Sequence, residues 1–304
     1  MTKSRTGAEG VPEPITGRPV RIALTGCGRI AKNHFDAIRD LDGLELAAVC
    51  DVDKGRAKTA GEANDVPWFT SYEEMLRSKT AFDAVTLCTP SGLHPRHGIA
   101  AAAAGKHVIS EKPMATRLEE ADALVEAGDH AAVHLLVVKQ NRLNPPIGLL
   151  NQAIDKGRFG RIYMANCTVR WTRPQDYYDQ APWRGTWESD GGAFMNQAPH
   201  YVDLIQWLVG PVESVLAKTA TQARRIEAED SGVAVLRFRS GAIGVIEVNV
   251  LTYPRNWEGS TTIMGEKGTA KIGGTAVNKV EHWSFGEYDD DDKLIEAAAP
   301  APPS

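Results

Sequence analysis

The run Thr25-Gly26-Cys27-Gly28-Arg29-Ile30-Ala31 restricts this chain more than any other feature. It fits G-x-G-x-x-G/A between an apolar strand run at 21–25 and a helical pattern at about 29–41. In that setting each small residue has a physical task. Gly26 permits a tight turn, Gly28 lets a pyrophosphate approach the backbone, and Ala31 lets the helix pack closely on the sheet. Arg29 and Ile30 stand at the helix entry, where the N-terminal backbone N–H groups favour phosphate charge. A second strand run at 44–50 ends at Asp51, 20 residues after Ala31. A carboxylate there binds ribose hydroxyls and repels a 2′-phosphate, so NAD is expected rather than NADP. A glycine turn with a capping Asp would explain the motif alone. Strand, loop, helix and acid in this order make it a nucleotide seat.

The alternation continues, with strand runs at 84–88, 107–109 and 135–138 and an Ala-rich helix at 99–104. This predicts an α/β Rossmann domain with a parallel sheet over 19–139. After about residue 160 strand-like runs follow one another, at 162–169, 212–221, 232–238, 242–251 and 260–264. Arg239-Ser240-Gly241-Ala242 has the character of a hairpin turn. These predict an α+β domain over 140–292 with an open, mostly antiparallel sheet, interrupted by one helix at about 193–208. Residues 1–18 lack the apolar stretch of a signal peptide and are expected as a flexible leader. Residues 293–304, ending in AAAPAPPS, are expected as a disordered tail.

Composition removes several classes of function. The 304 residues contain no run of 18 apolar residues, so no membrane span is expected. Net charge is −5 without a basic stripe, which argues against a nucleic-acid partner. Cys27, Cys50, Cys88 and Cys167 form no C-x-x-C pair, and a reducing cytoplasm is the expected compartment. There is no H-E-x-x-H, G-x-S-x-G or Walker loop. A metal site, a serine nucleophile and phosphoryl transfer are therefore disfavoured.

Three stretches carry candidate chemistry. Thr89-Pro90-Ser91 and Glu111-Lys112-Pro113 each follow a strand, at the carboxyl edge where this fold binds ligands. A lysine beside a nicotinamide ring can polarise or deprotonate a substrate hydroxyl; taken alone, Lys112 would be a surface lysine. In Gly191–Asp203, Asn196 and His200 are four apart, which stacks them on one helix face, and Asp203 can touch the same face. His is the commonest proton acceptor near neutral pH, and the two glycines leave space for a ligand. The same pattern would suit a polar helix face with one buried histidine. Residues 171–187 hold Trp171, Tyr177, Tyr178, Trp183 and Trp187 interleaved with Arg173 and Arg184. Rings stack on sugars or bases and guanidinium groups grip carboxylate or phosphate, although a loop packed by its own aromatics reads the same way. His34 and His94 are read as helix-surface or capping residues.

Together these residues resemble the glucose–fructose oxidoreductase/inositol dehydrogenase (Gfo/Idh/MocA) family over about 20–290. The marks are Gly26–Ala31, Glu111-Lys112-Pro113 and the helix with Asn196 and His200. A narrower likeness is to bacterial enzymes that oxidise the C3 hydroxyl of a UDP-linked N-acetylamino uronic acid. It rests on 138–146, 171–187, 191–203, Leu251-Thr252-Tyr253-Pro254 and Gly265-Glu266-Lys267-Gly268. The resemblance implies NAD held by Gly26, Gly28, Arg29, Ile30, Asp51, Thr89, Pro90, Ser91, Glu111, Lys112 and Gln140. It implies Lys112 and His200 as the catalytic pair, and substrate contacts from Arg173, Tyr177, Arg184 and Asn196. It further implies a homo-oligomer formed through the antiparallel sheet and a PLP-dependent aminotransferase downstream, in surface-polysaccharide (O-antigen) sugar synthesis. Members continue past the point matching Asp292, where this chain turns Ala/Pro-rich, so a C-terminally shortened second domain is expected. Two other readings stay open: a dehydrogenase of another sugar or cyclitol, and a non-catalytic NAD-binding regulator. The carboxylate of Asp51 leads to a direct test by calorimetry. NAD⁺ should bind at least about tenfold more tightly than NADP⁺, and equal affinities would refute the assignment.

Overall fold

The structure is a computed structural model and describes residues 14–298. The other parts of the expected leader and tail, 1–13 and 299–304, lie outside the described residues. The chain divides into two compact units between Val138 and Lys139.

In the first unit the elements are β1 (Val20–Thr25), α1 (Ala31–Asp40), β2 (Leu44–Cys50), α2 (Lys54–Asn64), β3 (Trp68–Phe69) and α3 (Tyr72–Arg77). They continue as β4 (Ala84–Leu87), α4 (His94–Ala103), β5 (His107–Ser110), α5 (Leu118–His130) and β6 (Leu135–Val137). All six strands pair in parallel, in the order β3-β2-β1-β4-β5-β6. Strand β4 is buried throughout and β1 over its last four residues, as strands covered on both faces must be. Helix α2 shows no apolar periodicity because it buries only Ala57 and Gly61. It needs no large apolar stripe: a Cβ on Gly61 would lie 2.7 Å from Trp68 Cβ, so the helix backbone itself is the packing surface. Residues 14–18, expected within the leader, include Arg18, whose guanidinium pairs with Asp83 at 2.6 Å.

The second unit contains α6 (Pro145–Asp155), β7 (Ile162–Arg170), α7 (Gln175–Asp179), α8 (Pro199–Val209), β8 (Val212–Ala220), β9 (Ser231–Phe238) and β10 (Ile243–Asn249). Then come β11 (Glu258–Gly265), β12 (Gly268–Gly273), β13 (Lys279–Phe285) and α9 (Asp290–Ala298). The open sheet has the order β13-β12-β11-β7-β10-β9-β8 and is antiparallel except for the pair β7–β10. Gly241, at φ +88°, makes the β9–β10 hairpin with Phe238 and Ala242, as its sequence suggested. Strand β7 turns Ala165, Cys167 and Val169 inward, where Tyr201, Leu204, Ile205 and Leu208 of α8 join the same core. Val233, Val235 and Ile243 are instead exposed.

Two expectations are corrected. The single helix at 193–208 is broken: Ala193–Gln197 is a π turn and α8 starts afresh at Pro199. Proline has no N–H to continue the ladder, and the N–H of Ala198 closes the π turn on the carbonyl of Ala193 at 3.0 Å. Residues 293–298, placed in the tail for their Ala-rich composition, belong to α9. Three acids open that helix, where its dipole favours negative charge. Asp292 anchors it, accepting from Arg158 at 2.8 and 2.9 Å and from Trp283 Nε1 at 2.6 Å.

Because α8 is held by its apolar face, Leu204→Ala should lower unfolding free energy by about 2–5 kcal/mol. Val202→Ala, on the exposed side of the same helix, should stay within about 0.5 kcal/mol. Denaturant titration of both variants checks this; equal effects would show that α8 is not seated by Leu204.

Candidate active site

The carboxyl edge of the parallel sheet gathers the first unit's expected residues. Gly26 has φ +92°, and a Cβ there would lie 2.6 Å from the carbonyl carbon and oxygen of Cys88. A Cβ on Gly28 would meet nothing within 4 Å, so the turn is open on that side. Ile30 makes no side-chain cap and no acid stands in the first turn of α1, which leaves the helix N-terminus suited to an anion. Asp51 follows β2. Its Oδ2 accepts from the N–H of Cys27 and its Oδ1 from the N–H of Asp53, each at 2.8 Å. Arg56 adds Nε to Oδ2 at 3.2 Å and Nη2 to Oδ1 at 3.0 Å. These features fit a dinucleotide, the pyrophosphate at Gly28 and α1, the ribose at Asp51.

Thr89, Pro90 and Ser91 follow β4, and Glu111 and Lys112 follow β5. His94 caps the short Ser91–Leu93 turn but is not a surface residue. It is buried, with Nε2 2.9 Å from the carbonyl oxygen of Thr89 and Nδ1 2.8 Å from that of Pro113. It thus ties the two segments together beside the cis Lys112-Pro113 bond. Burial pushes its pKa down. His34 is also more than a helix-surface group, since its Nε2 lies 2.9 Å from Glu111 Oε1. Burial pushes the Glu111 carboxyl up. The hydrogen bonds from His34 and the Lys112 N–H, with the nearby Lys112 side chain, outweigh it and hold the carboxyl below the ordinary glutamate value.

In the second unit Gln140 opens a short 3₁₀ turn, Gln140–Leu143, and its Nε2 lies 3.1 Å from His200 Nε2. Arg142, on the same turn, donates to both oxygens of Asp203 at 2.7 Å and lies 5.0 Å from the Trp207 ring centre. His200, Asp203 and Trp207 form one face of α8, and this turn clamps that face. Asn196 belongs to the π turn and donates to Asp190, so its spacing of four from His200 is not a helical repeat. Asp190 is buried and accepts the N–H of Gly185 at 2.7 Å.

The π turn is pinned by Glu229, which the sequence did not single out. Glu229 accepts the N–H of Phe194 on Oε1 and the N–H of Ala193 on its backbone oxygen, both at 2.9 Å. Gly192 makes room for that carboxyl rather than for a ligand: a Cβ there would lie 2.1 Å from Oε2. Burial pushes the Glu229 pKa up, the charge of Asp190 adds to it, and the Phe194 N–H opposes it. Nearby, Tyr177 lies between two guanidinium groups, with Cζ of Arg184 4.2 Å and Cζ of Arg173 5.4 Å from its ring centre. Arg173 also donates to Asn256 at 3.2 Å. Asn256 borders a cleft of about 600 Å³ lined by residues 252–257 and Thr275.

The raised pKa of Glu229 has a signed consequence. Its ordinary value is 4.5; stability tied to its proton is present in acid and is lost as pH rises through the raised folded-state value. Glu229→Gln keeps an acceptor for Phe194 and cannot ionise. Relative to the parent, its Tm should climb between about pH 4 and pH 8. A constant difference across that range would show that Glu229 does not titrate with folding.

Among the described residues no helix is long and apolar enough to cross a membrane. No group of three or more His, Cys, Asp or Glu among them could hold a metal ion. Residues 20–139 match the oxidoreductase family with an NAD-binding Rossmann fold, and residues 148–271 match the GFO/IDH/MocA C-terminal domain. Two solved WlbA dehydrogenases, each in complex with NADH and UDP-GlcNAcA, are similar to this chain. That from Bordetella pertussis is 57% identical with a TM-score of 0.92, over 94% of this chain and 82% of that one. That from Chromobacterium violaceum is 55% identical with a TM-score of 0.92, over 95% and 84%. D-apiose dehydrogenase of Paraburkholderia graminis is 29% identical over 74% of this chain, which spans 59% of that relative's length. The chain belongs to the Gfo/Idh/MocA family of oxidoreductases, with an NAD-binding Rossmann fold.

Proposed function

We propose that the chain oxidises the C3 hydroxyl of a UDP-linked N-acetylamino uronic acid to a ketone. The observation that carries this is its 57% identity, across 94% of its length, to a dehydrogenase solved with NADH and UDP-GlcNAcA. The chemistry of the second unit supports it. A substrate with a diphosphate and a carboxylate needs cations, and Arg173 and Arg184 flank Tyr177, so either can hold an anionic group bidentately. Asn196, tethered by Asp190, is a neutral amide that can position a sugar hydroxyl but cannot act as a base.

NAD⁺, when bound, supplies the hydride acceptor. His200 takes the C3 hydroxyl proton as the hydride leaves, its Nε2 exchanging the amide of Gln140, 3.1 Å away, for the substrate hydroxyl. Lys112 is the second proton-handling residue, and Glu111, fixed by His34, keeps a negative charge next to it in sequence. Gly26, Gly28, Arg29, Ile30, Asp51, Thr89, Pro90 and Ser91 form the seat of the dinucleotide. The ketone product suits a PLP-dependent aminotransferase, in a cytoplasmic route to surface-polysaccharide (O-antigen) sugars. The exposed Val233, Val235 and Ile243 of the open sheet form the face through which copies of the chain associate.

Incubation with NAD⁺ and a panel of UDP-sugars, followed by NADH absorbance and product mass, tests the substrate. Turnover of inositol or a free sugar in preference would move the assignment to a cyclitol or sugar dehydrogenase, and NAD⁺ binding with no turnover to a regulator. His200→Asn and Lys112→Met should each lower kcat by roughly 10²–10⁴-fold, the usual worth of acid–base catalysis. The pH–rate limb near neutrality should vanish in His200→Asn. Near-parent kcat with an unchanged profile would leave the histidine a structural role only.

A further inference from the structure

We infer that Arg56 is a second cofactor-specificity residue, a guanidinium fork matched to the 2′-phosphate of NADP and kept out of use by the carboxylate of Asp51. The inference rests on Asp51 meeting the adenosine ribose. Each Asp51 oxygen already accepts one backbone N–H, from Cys27 or Asp53, and one N–H of Arg56. The carboxylate is 7% exposed, while the Arg56 side chain is 54% exposed, so the guanidinium covers the solvent side of the acid. A fork that holds a carboxylate through two nitrogens presents the geometry that also suits phosphate.

Asp51 is thus an internal anion occupying the grip. With it in place the local charge is balanced and a 2′-phosphate meets a carboxylate. Without it, three sets of donors turn toward the vacated position: the N–H of Cys27, the N–H of Asp53 and the fork of Arg56. Position favours the same ligand. Arg56 lies in the first turn of α2, directly after the strand whose end reads the ribose 2′ position in this fold. A general excess of positive charge would not need that placement. Lys58, one half-turn on in the same helix, pairs instead with Glu62 at 3.6 Å.

Calorimetry with NAD⁺ and NADP⁺ tests this in five proteins: parent, Asp51→Ala, Asp51→Asn, Asp51→Ala/Arg56→Met and Asp51→Ala/Lys58→Met. Asp51→Asn keeps hydrogen-bonding capacity at the end of β2 and serves if the alanine variant does not fold. Both single variants should lose NAD⁺ affinity and gain NADP⁺ affinity at least about tenfold, the lower range for hydrogen bonds to a charged group. Adding Arg56→Met should abolish the gain, and adding Lys58→Met should preserve it. A loss of NAD⁺ affinity without any NADP⁺ gain overturns the inference alone, as does a gain that survives Arg56→Met. Unchanged NAD⁺ affinity in both single variants overturns the ribose reading of Asp51, and this inference with it.

Discussion

Strands that all run the same way cannot be joined by tight turns, and this restriction organises the whole first unit. Each strand must be reached by a crossover through a helix, so all six strand ends leave the sheet along one edge. Gly26 follows β1, Asp51 follows β2, Thr89 follows β4 and Glu111 follows β5. Residues separated by up to 85 positions in sequence are neighbours only because of this shared direction. The backbone approach at Gly26, too tight for any side chain against Cys88, then brings the ends of β1 and β4 together. His94 closes the edge from β4 to β5 with its two ring nitrogens.

The second unit has no such rule, and buried acids fix two of its irregular segments. Glu229 and Asp230 are consecutive, buried and shifted in opposite directions. Burial raises both. Asp230 also accepts the N–H groups of Gln222, Ala223 and Arg224, between 2.8 and 3.0 Å, and these hold it below its ordinary value. The Glu229 side chain accepts from the Phe194 N–H, and desolvation prevails. Aligned donors hold Asp230 low, whereas at Glu229 burial outweighs the donors it has. Asp230 fixes the loop carrying Arg224 and Arg225, and Glu229 pins the π turn of Asn196.

The first unit was legible because its signals are local. Gly26, Gly28, Ala31 and Asp51 report one compact turn-and-strand arrangement within 26 positions, and the apolar run at 44–50 is the whole of β2. What escaped depends on pairing at a distance. His34 and Glu111 are 77 positions apart, and no periodicity links them. Helix α2 lacks an apolar stripe because glycine does its packing. Strands β12 and β13 escaped because Gly268, Gly273 and exposed polar residues interrupt the alternation. Residues 191–203 misled for a different reason. A spacing of four mimics a helix whether or not the ladder is continuous, and only the missing N–H of Pro199 announces the break.

Strand β7 lies at the centre of the open sheet, yet both strands beside it arrive much later in the chain. Cys167 faces Ile246 on one side and Thr261 on the other. A ribosome therefore delivers β7, the aromatic loop and α8 well before anything exists to flank that strand. Contacts of such long range form slowly, and unpaired strand edges attract one another meanwhile. The Rossmann sheet, complete by residue 137, has no such wait. Nascent chains thus acquire the nucleotide seat first, and the histidine helix is buried only when β10 and β11 emerge.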